Sequence, residues 1–401
     1  MATTKITTVE EYVEALQKRP KKVYINEWNA CMAGPKFPRP LVAFNTQVTR
    51  DSIKHFVDAI GDMNPIFRDR TYAEKTKYGC LIAPPTFLYS IAYGHYPDPP
   101  GSAPPEAFYN LYAGDEYEWF SPLSDGEEID FKTTFPTDIK FKSTKAVEKA
   151  AFLYGRHEFT RHMGGTLLAT CDFWIVLYKK AEDVRQKPES DQFDKPVYTE
   201  DYIKEVYSTQ DREVVRGAEP RYWEDVEIGE ELPPVVRGPH SATETVAWLI
   251  GGIGEFYFCS DRLYRYIFEQ CGWGFYDRDW KVHLNFHENM YNTMLAKEHE
   301  RMTGGIGAQR SSWIDMVLTN WMGDEGFIWK LRSEHRGQGG LGYVYWCKAK
   351  VTDKYIKDDR YCVDIECRVE EQKGNVILSG NATVLLPSKE HGPVFYPSPS
   401  V

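Results

Sequence analysis

The chain lacks the features that direct proteins to membranes, nucleic acids or oxidising compartments. No apolar run approaches the ~18 residues of a membrane span, and the N-terminal segment has no apolar core typical of a secretory signal. Lys and Arg number 48 against 59 Asp and Glu, and the net charge of −11 repels nucleic-acid phosphates. The 8 Cys form no C-x-x-C pair and no metal-ligand spacing. We expect a cytoplasmic protein with reduced thiols, without a membrane or nucleic-acid partner.

The first half of the chain shows a helix followed by strands. The 401 residues are 42% hydrophobic and 14% aromatic, enough for the cores of two or three domains. Apolar residues at helical spacing predict helices over residues 8–18 and 50–60, the second capped by Asp51 or Ser52. Residues 116–180 then alternate between apolar and polar, with turns at 124–126 and 163–165. This order is typical of the α+β class.

The second half repeats this pattern. An apolar helix with an N-cap at Ser241 or Thr243 and a long apolar segment at 310–322 precede strands over residues 327–386, with a turn at 372–375. Such internal duplication predicts two copies of one structural unit. We expect domains at residues 1–182 and 218–390, joined by a charged connector at 183–217.

The most informative motif lies within residues 59–88. It has an acid, an amide and a proline directly after a glycine: Gly61, Asp62, Asn64, Pro65 and Ile66. The motif resembles that of the MaoC-like dehydratases and R-specific enoyl-CoA hydratases, which reads roughly G-D-x-N-P-I-H. The first half is thus similar to an FAS1-like N-terminal dehydratase domain. Phe67 stands at the position of the family's His.

The resemblance implies both a fold and an activity. The fold is two tandem hot-dog domains, each a long central helix wrapped by an antiparallel sheet, which together form a pseudo-dimer. The activity is the addition of water to, or its removal from, a 2-enoyl or 3-hydroxyacyl thioester. Coenzyme A would be part of the substrate, with no further cofactor and no metal. We also expect a homodimer of these double hot-dog chains.

Hydration of a conjugated thioester requires a base for water, an acid for the α-carbon and donors for the enolate oxygen. Asp62 is the best candidate for the base, and Asn64 would orient either Asp62 or the water. The missing His is expected from the second half, His283 before His287, with Glu255 where a second G-D would fall. Each has a structural alternative: a turn-capping Asp, a turn-forming Asn, core histidines and a solvated Glu. These two histidines with Glu255 could also hold a metal, but their spacing is loose.

Other residues are candidates for substrate contacts. Phe67 would line an apolar acyl pocket. Two glycine-bearing stretches ahead of the central helices could donate backbone amides to the thioester, or could be simple loops: Gly79, Cys80 and Ile82 in the first half, and residues 304–308, which include Gly307 and Ala308, in the second. Gln309 and Arg310 would pair with pantetheine or a CoA phosphate, or form a salt bridge to a neighbour. An aromatic-rich insertion near 252–283 is either buried core or a wall that selects a bulky or ring-bearing acyl group.

Two other functions remain open from the sequence. Hot-dog folds also host acyl-CoA thioesterases, and fold alone does not determine function. The chain could also be a non-catalytic acyl-binding partner of an active subunit, since neither half carries the complete motif. Release of free CoA would indicate the first, and inactivity without a second subunit would indicate the other.

Overall fold

The structure is a computed structural model. It describes residues 8–18, 22–25, 44–93, 108–143, 148–179, 196–254, 264–265, 274–285, 287–298, 303–304 and 307–399. In the part of the chain just delimited, every helix is too short or too polar to span a bilayer. Residues 180–195 fall outside these ranges, so the predicted domain boundary near residue 182 stays a prediction.

A single ten-stranded antiparallel sheet runs through both halves of the molecule. Its strands are β1 Lys22–Ile25, β3 Phe108–Trp119, β5 Ile129–Lys142, β6 Ala150–Arg161, β7 Leu167–Lys179, β8 Val235–Arg237, β11 Phe327–His335, β12 Tyr345–Lys357, β13 Arg360–Glu371 and β14 Val376–Leu385. Two small pairs lie apart from it: β2 Ile82–Ala83 with β4 Leu123–Ser124, and β9 Phe275–Asp277 with β10 Val282–Leu284. The predicted turns at 124–126, 163–165 and 372–375 all lie between strands, which confirms them.

The strand order shows the predicted duplication. The sheet runs β1-β5-β6-β7-β3-β11-β14-β13-β12-β8, so in each half the first long strand neighbours the fourth. β3 and β11 join the halves, with Leu331 opposite Tyr117 and Ser333 opposite Asp115. Because the seam is a backbone ladder with Leu331 and Tyr117 both 1% exposed, the halves share one core.

The described helices are α1 Val9–Gln17, α2 Arg50–Ile60, α3 Pro65–Arg68, α4 Arg70–Ala73, α5 Glu200–Asp211, α6 Ala242–Ala247, α7 Thr293–Glu298 and α8 Gly307–Met322. α2 buries Ile53, Phe56, Val57 and Ile60 on one face, as its spacing predicts. Its N-cap is Thr49, which exchanges side-chain bonds with Ser52, so the prediction of Asp51 or Ser52 was wrong. The predicted cap of α6 at Ser241 is confirmed.

The central segments of the two halves differ. α8 is buried on every side from Ala308 to Met322, because it packs against the second-half sheet and against the first half. The first half instead has a six-residue 3₁₀ helix, Pro85–Ser90, where a long helix was expected. Pro84 and Pro85 fix the backbone at its start, and residues 94–107 lie outside the described residues. This 3₁₀ helix lies against α8.

Candidate active site

Asp62 is held at the end of α2 with its carboxyl group buried. Gly61 ends the helix in the left-handed conformation, φ +71°, which glycine adopts without strain. Asp62 is 1% exposed, and its Oδ1 accepts a hydrogen bond from the backbone N–H of Asn64 at 2.8 Å. Its Oδ2 is buried without a hydrogen-bond partner among the residues that the structure describes. Burial raises the pKa of Asp62 from 3.8 to about 6.

Asn64 extends the same turn. Its Oδ1 accepts from the backbone N–H of Ile66 at 3.2 Å and caps α3, while Pro65 occupies the first helical position. The backbone N–H of Asn64 thus holds one carboxyl oxygen of Asp62, and a catalytic role of the Asn64 side chain stays a prediction. Phe67 is 3% exposed and belongs to the hydrophobic core. Its place beside an acyl group stays a prediction.

The structure brings a second carboxyl group to Asp62, one that the sequence reasoning missed. Asp315 lies midway along α8 and is 1% exposed. Its Oδ2 accepts from the backbone N–H of Thr86 at 3.0 Å and from the Thr86 hydroxyl at 2.6 Å, whereas its Oδ1 has no partner in the described part of the chain. Burial raises the pKa of Asp315 to about 7, and the charge of Asp62 makes a smaller contribution in the same direction. The sign of Asp315 in the sequence was its position as an acid inside an apolar helical run, where a buried carboxyl group is costly and often functional.

The two carboxyl groups together are suited to acid–base chemistry near neutral pH. Each is buried, each is within electrostatic range of the other, and each keeps one oxygen that accepts no hydrogen bond from a described residue. With pKa values of about 6 and about 7, Asp62 ionises before Asp315. A pair whose environments separate the two pKa values can supply one base and one acid.

The two histidines expected beside Asp62, His283 and His287, are both in the described part of the chain. His283 is in β10, with its ring 5.1 Å from that of Tyr276. His287 is 4% exposed, and burial lowers its pKa to about 3. Among the described residues, Asp62 receives a hydrogen bond from neither. Glu255 and most of the aromatic insertion lie outside the described residues, so their roles stay predictions.

The two glycine-bearing stretches occupy different places. Gly79, φ +66°, ends a surface turn; the partly buried Cys80 follows it, and Ile82 pairs with Ser124. The second stretch leads into the first turn of α8: Gly307, Ala308, Gln309 and Arg310, the last donating to the Gly337 carbonyl at 3.2 Å. At 1.5 Å per residue this turn begins about 12 Å along the helix from Asp315. Substrate contacts of both stretches stay predictions.

Comparisons with known proteins agree with this architecture. The profile described as "FAS1-like, dehydratase domain region" matches residues 39–170. A UPF0336 protein of Thermobifida fusca is 38% identical over 98 residues, 23% of this chain and 62% of that protein. Another, of a Parafrankia species, is 32% identical over 120 residues, 29% of this chain and 76% of that protein. A solved MaoC-like dehydratase superposes with a TM-score of 0.55 at 14% identity, over 84% of this chain and 94% of that one.

The fold and these matches define a double hot-dog protein of the α+β class, as predicted. The chain belongs to the UPF0336 family, and its residues 39–170 match the FAS1-like dehydratase region. The solved relative shows the fold alone. The chain matches less than two thirds of the Thermobifida protein.

Proposed function

We propose that this protein is a hydro-lyase that adds water to a 2-enoyl thioester or removes it from a 3-hydroxyacyl thioester. The observation that carries the proposal is the buried pair of carboxyl groups, Asp62 and Asp315, whose pKa values lie close to neutral. The match of residues 39–170 to the FAS1-like dehydratase region supports the reaction class. A site drawn from both halves explains why one chain would hold one complete site.

The chemistry assigns one proton transfer to each carboxyl group. The Asp62 carboxylate takes a proton from water as the water oxygen bonds to the β-carbon. The electrons of the carbon–carbon double bond move towards the thioester, and the protonated Asp315 delivers its proton to the α-carbon. One water is added in total, and the reverse sequence removes one. Proton return from Asp62 to Asp315, through water, restores both groups.

The finer features of the substrate and assembly are part of the proposal. The acyl carrier is coenzyme A, in keeping with the family, and the acyl group is bulky or ring-bearing, in keeping with the aromatic-rich sequence near 252–283. His283, His287 and Glu255 remain candidates for contacts with the reacting groups. We further propose a cytoplasmic homodimer that needs neither a metal nor a separate cofactor.

The test incubates the purified protein with short, long and aromatic enoyl-CoA esters and follows the products by mass spectrometry. The proposal predicts a gain of one water with CoA still attached. Asp62→Asn and Asp315→Asn should each lower kcat by about 10²–10⁴-fold, the usual contribution of a general acid or base. Asp125→Asn, which removes an exposed carboxylate, is the matched control.

Three outcomes would overturn the proposal. Release of free CoA would indicate a thioesterase. Full activity in Asp62→Asn would remove the carboxyl pair from the mechanism. Inactivity of the wild-type protein on every ester would favour the non-catalytic partner subunit.

A further inference from the structure

An ion pair of the second half lies against the helix end that carries Asp62. Arg237, the last residue of β8, bonds Glu213 through Nη1 at 2.8 Å and through Nη2 at 3.3 Å. The Nδ2 of Asn320 on α8 donates to Glu213 at 3.2 Å. Both charged side chains are largely buried, with 13% and 16% of their area exposed. This geometry holds the guanidinium in one orientation.

The guanidinium contacts the two residues that precede Asp62. Its Nη2 donates to the Gly61 carbonyl at 3.1 Å and its Nε to the Ile60 carbonyl at 3.4 Å. The indole N–H of Trp313 also donates to the Ile60 carbonyl, at 3.2 Å. The last carbonyls of a helix have no intrahelical partner and favour a cation. The second half therefore fixes the end of α2 from which Asp62 projects.

The two charges act on Asp62 in opposite directions. Among the influences on the pKa of Asp62, Arg237 lowers it and Glu213 raises it. The other charged groups that face Asp62 are Asp315 of α8 and Arg68 of α3, which is paired with Asp58 of α2 at 2.8 Å. Removal of each member of the ion pair is thus expected to have an opposite effect.

We infer that Arg237 is a positioning residue for the Asp62 carboxyl group and that Glu213, its buried partner, limits how strongly Arg237 favours the carboxylate. The role of Asp62 as a base rests on the proposed function, whereas the electrostatic link does not. A carboxyl group of the first half is in this way controlled by a side-chain pair of the second half.

The experiment measures the titration of Asp62 by NMR in protein labelled with ¹³C at the Asp carboxyl carbon, assigned with Asp62→Asn. We expect Arg237→Gln to raise the pKa of Asp62 by about 1 and Glu213→Gln to lower it, the size expected for one close charge. Arg237→Lys should recover most of the wild-type value. The double variant, which removes both charges, should lie between the two single variants.

A purely structural role would give a different pattern. If the ion pair only stabilised the fold, both single variants would lose stability and move the pKa of Asp62 in the same direction or not at all, which would overturn the inference. If a single variant fails to fold, the pKa of Asp62 in the charge-free double variant can be compared with that in Arg237→Lys, and this comparison still reports the effect of the ion pair. Opposite shifts without any enoyl-CoA turnover would sustain the electrostatic link and reject the proposed function. With turnover, Arg237→Gln should change kcat and its pH profile more than KM.

Discussion

Replacement of Asp62 by Asn should stabilise the protein increasingly, relative to the wild type, as the pH rises, while it lowers kcat by about 10²–10⁴-fold. Burial raises the pKa of Asp62 from 3.8 to about 6. A difference of about 2 in pKa corresponds to about 3 kcal/mol, at 1.36 kcal/mol for each pKa unit. Since the folded-state pKa is the higher one, the contribution of Asp62 is fully present below about pH 4 and is lost as the pH rises through about 6.

The assay is urea denaturation of the wild type and Asp62→Asn at about pH 4 and about pH 8, with free energies of unfolding extrapolated to water. Asn keeps the oxygen that accepts from the Asn64 N–H at 2.8 Å, and any cost of its buried amide group does not depend on pH. The variant should therefore gain about 3 kcal/mol relative to the wild type between the two pH values. The buried neutral His157 and His287 act in the opposite direction, but equally in both proteins.

The control for this measurement is Asp125→Asn on the exposed turn after β4. It should show no comparable change between the two pH values. If the difference in the free energy of unfolding between the wild type and Asp62→Asn stays constant across this pH range, the claim that Asp62 is an unfavourably buried carboxyl group is refuted.

Two further predictions concern the support of Asp315 and the seam between the halves. Thr86→Val removes the hydroxyl donor 2.6 Å from Asp315, so it should raise the pKa of Asp315 further and lower the free energy of unfolding by about 1–3 kcal/mol. Thr86→Ser keeps the hydroxyl and should have neither effect. pH–rate profiles test the pKa, and urea denaturation tests the stability. Arg332→Ala breaks the pair with Glu116 across the seam, at 2.8 Å, but Arg332 is 37% exposed, so the loss should stay below about 1 kcal/mol. Leu331→Ala in the same strand, at 1% exposure, should cost about 2–5 kcal/mol. Equal losses in these two seam variants would contradict the view that apolar burial holds the halves together.

The elements that follow from local pattern could be predicted from the sequence. Alternation of apolar and polar residues indicates the long strands, and the spacing of Ile53, Phe56 and Ile60 indicates α2. The position of Asp62 after Gly61 also follows, because a glycine at a helix end favours the left-handed conformation that turns the chain. The choice of Thr49 over its neighbours as N-cap did not follow, since several adjacent side chains could cap the same turn.

The partner of Asp62 could not be predicted by the same means. Asp315 is 253 positions away in the chain, and periodicity treats its helix as one apolar segment. Only the packing of α8 against the 3₁₀ helix places Thr86, Asp62 and Asp315 together. The Arg237 contact with the Gly61 carbonyl depends in the same way on tertiary structure. The family resemblance pointed to His283 and His287, whose place beside the reacting groups stays a prediction.

The central claim is that Asp62 and Asp315 form one coupled pair across the two halves. The most direct test is the ¹³C titration of the Asp315 carboxyl group in the wild type and in Asp62→Asn. The account predicts a pKa of about 7 in the wild type and a lower value in the variant, because the charge of Asp62 helps to raise it. An Asp315 titration that is identical in the two proteins would contradict the pair.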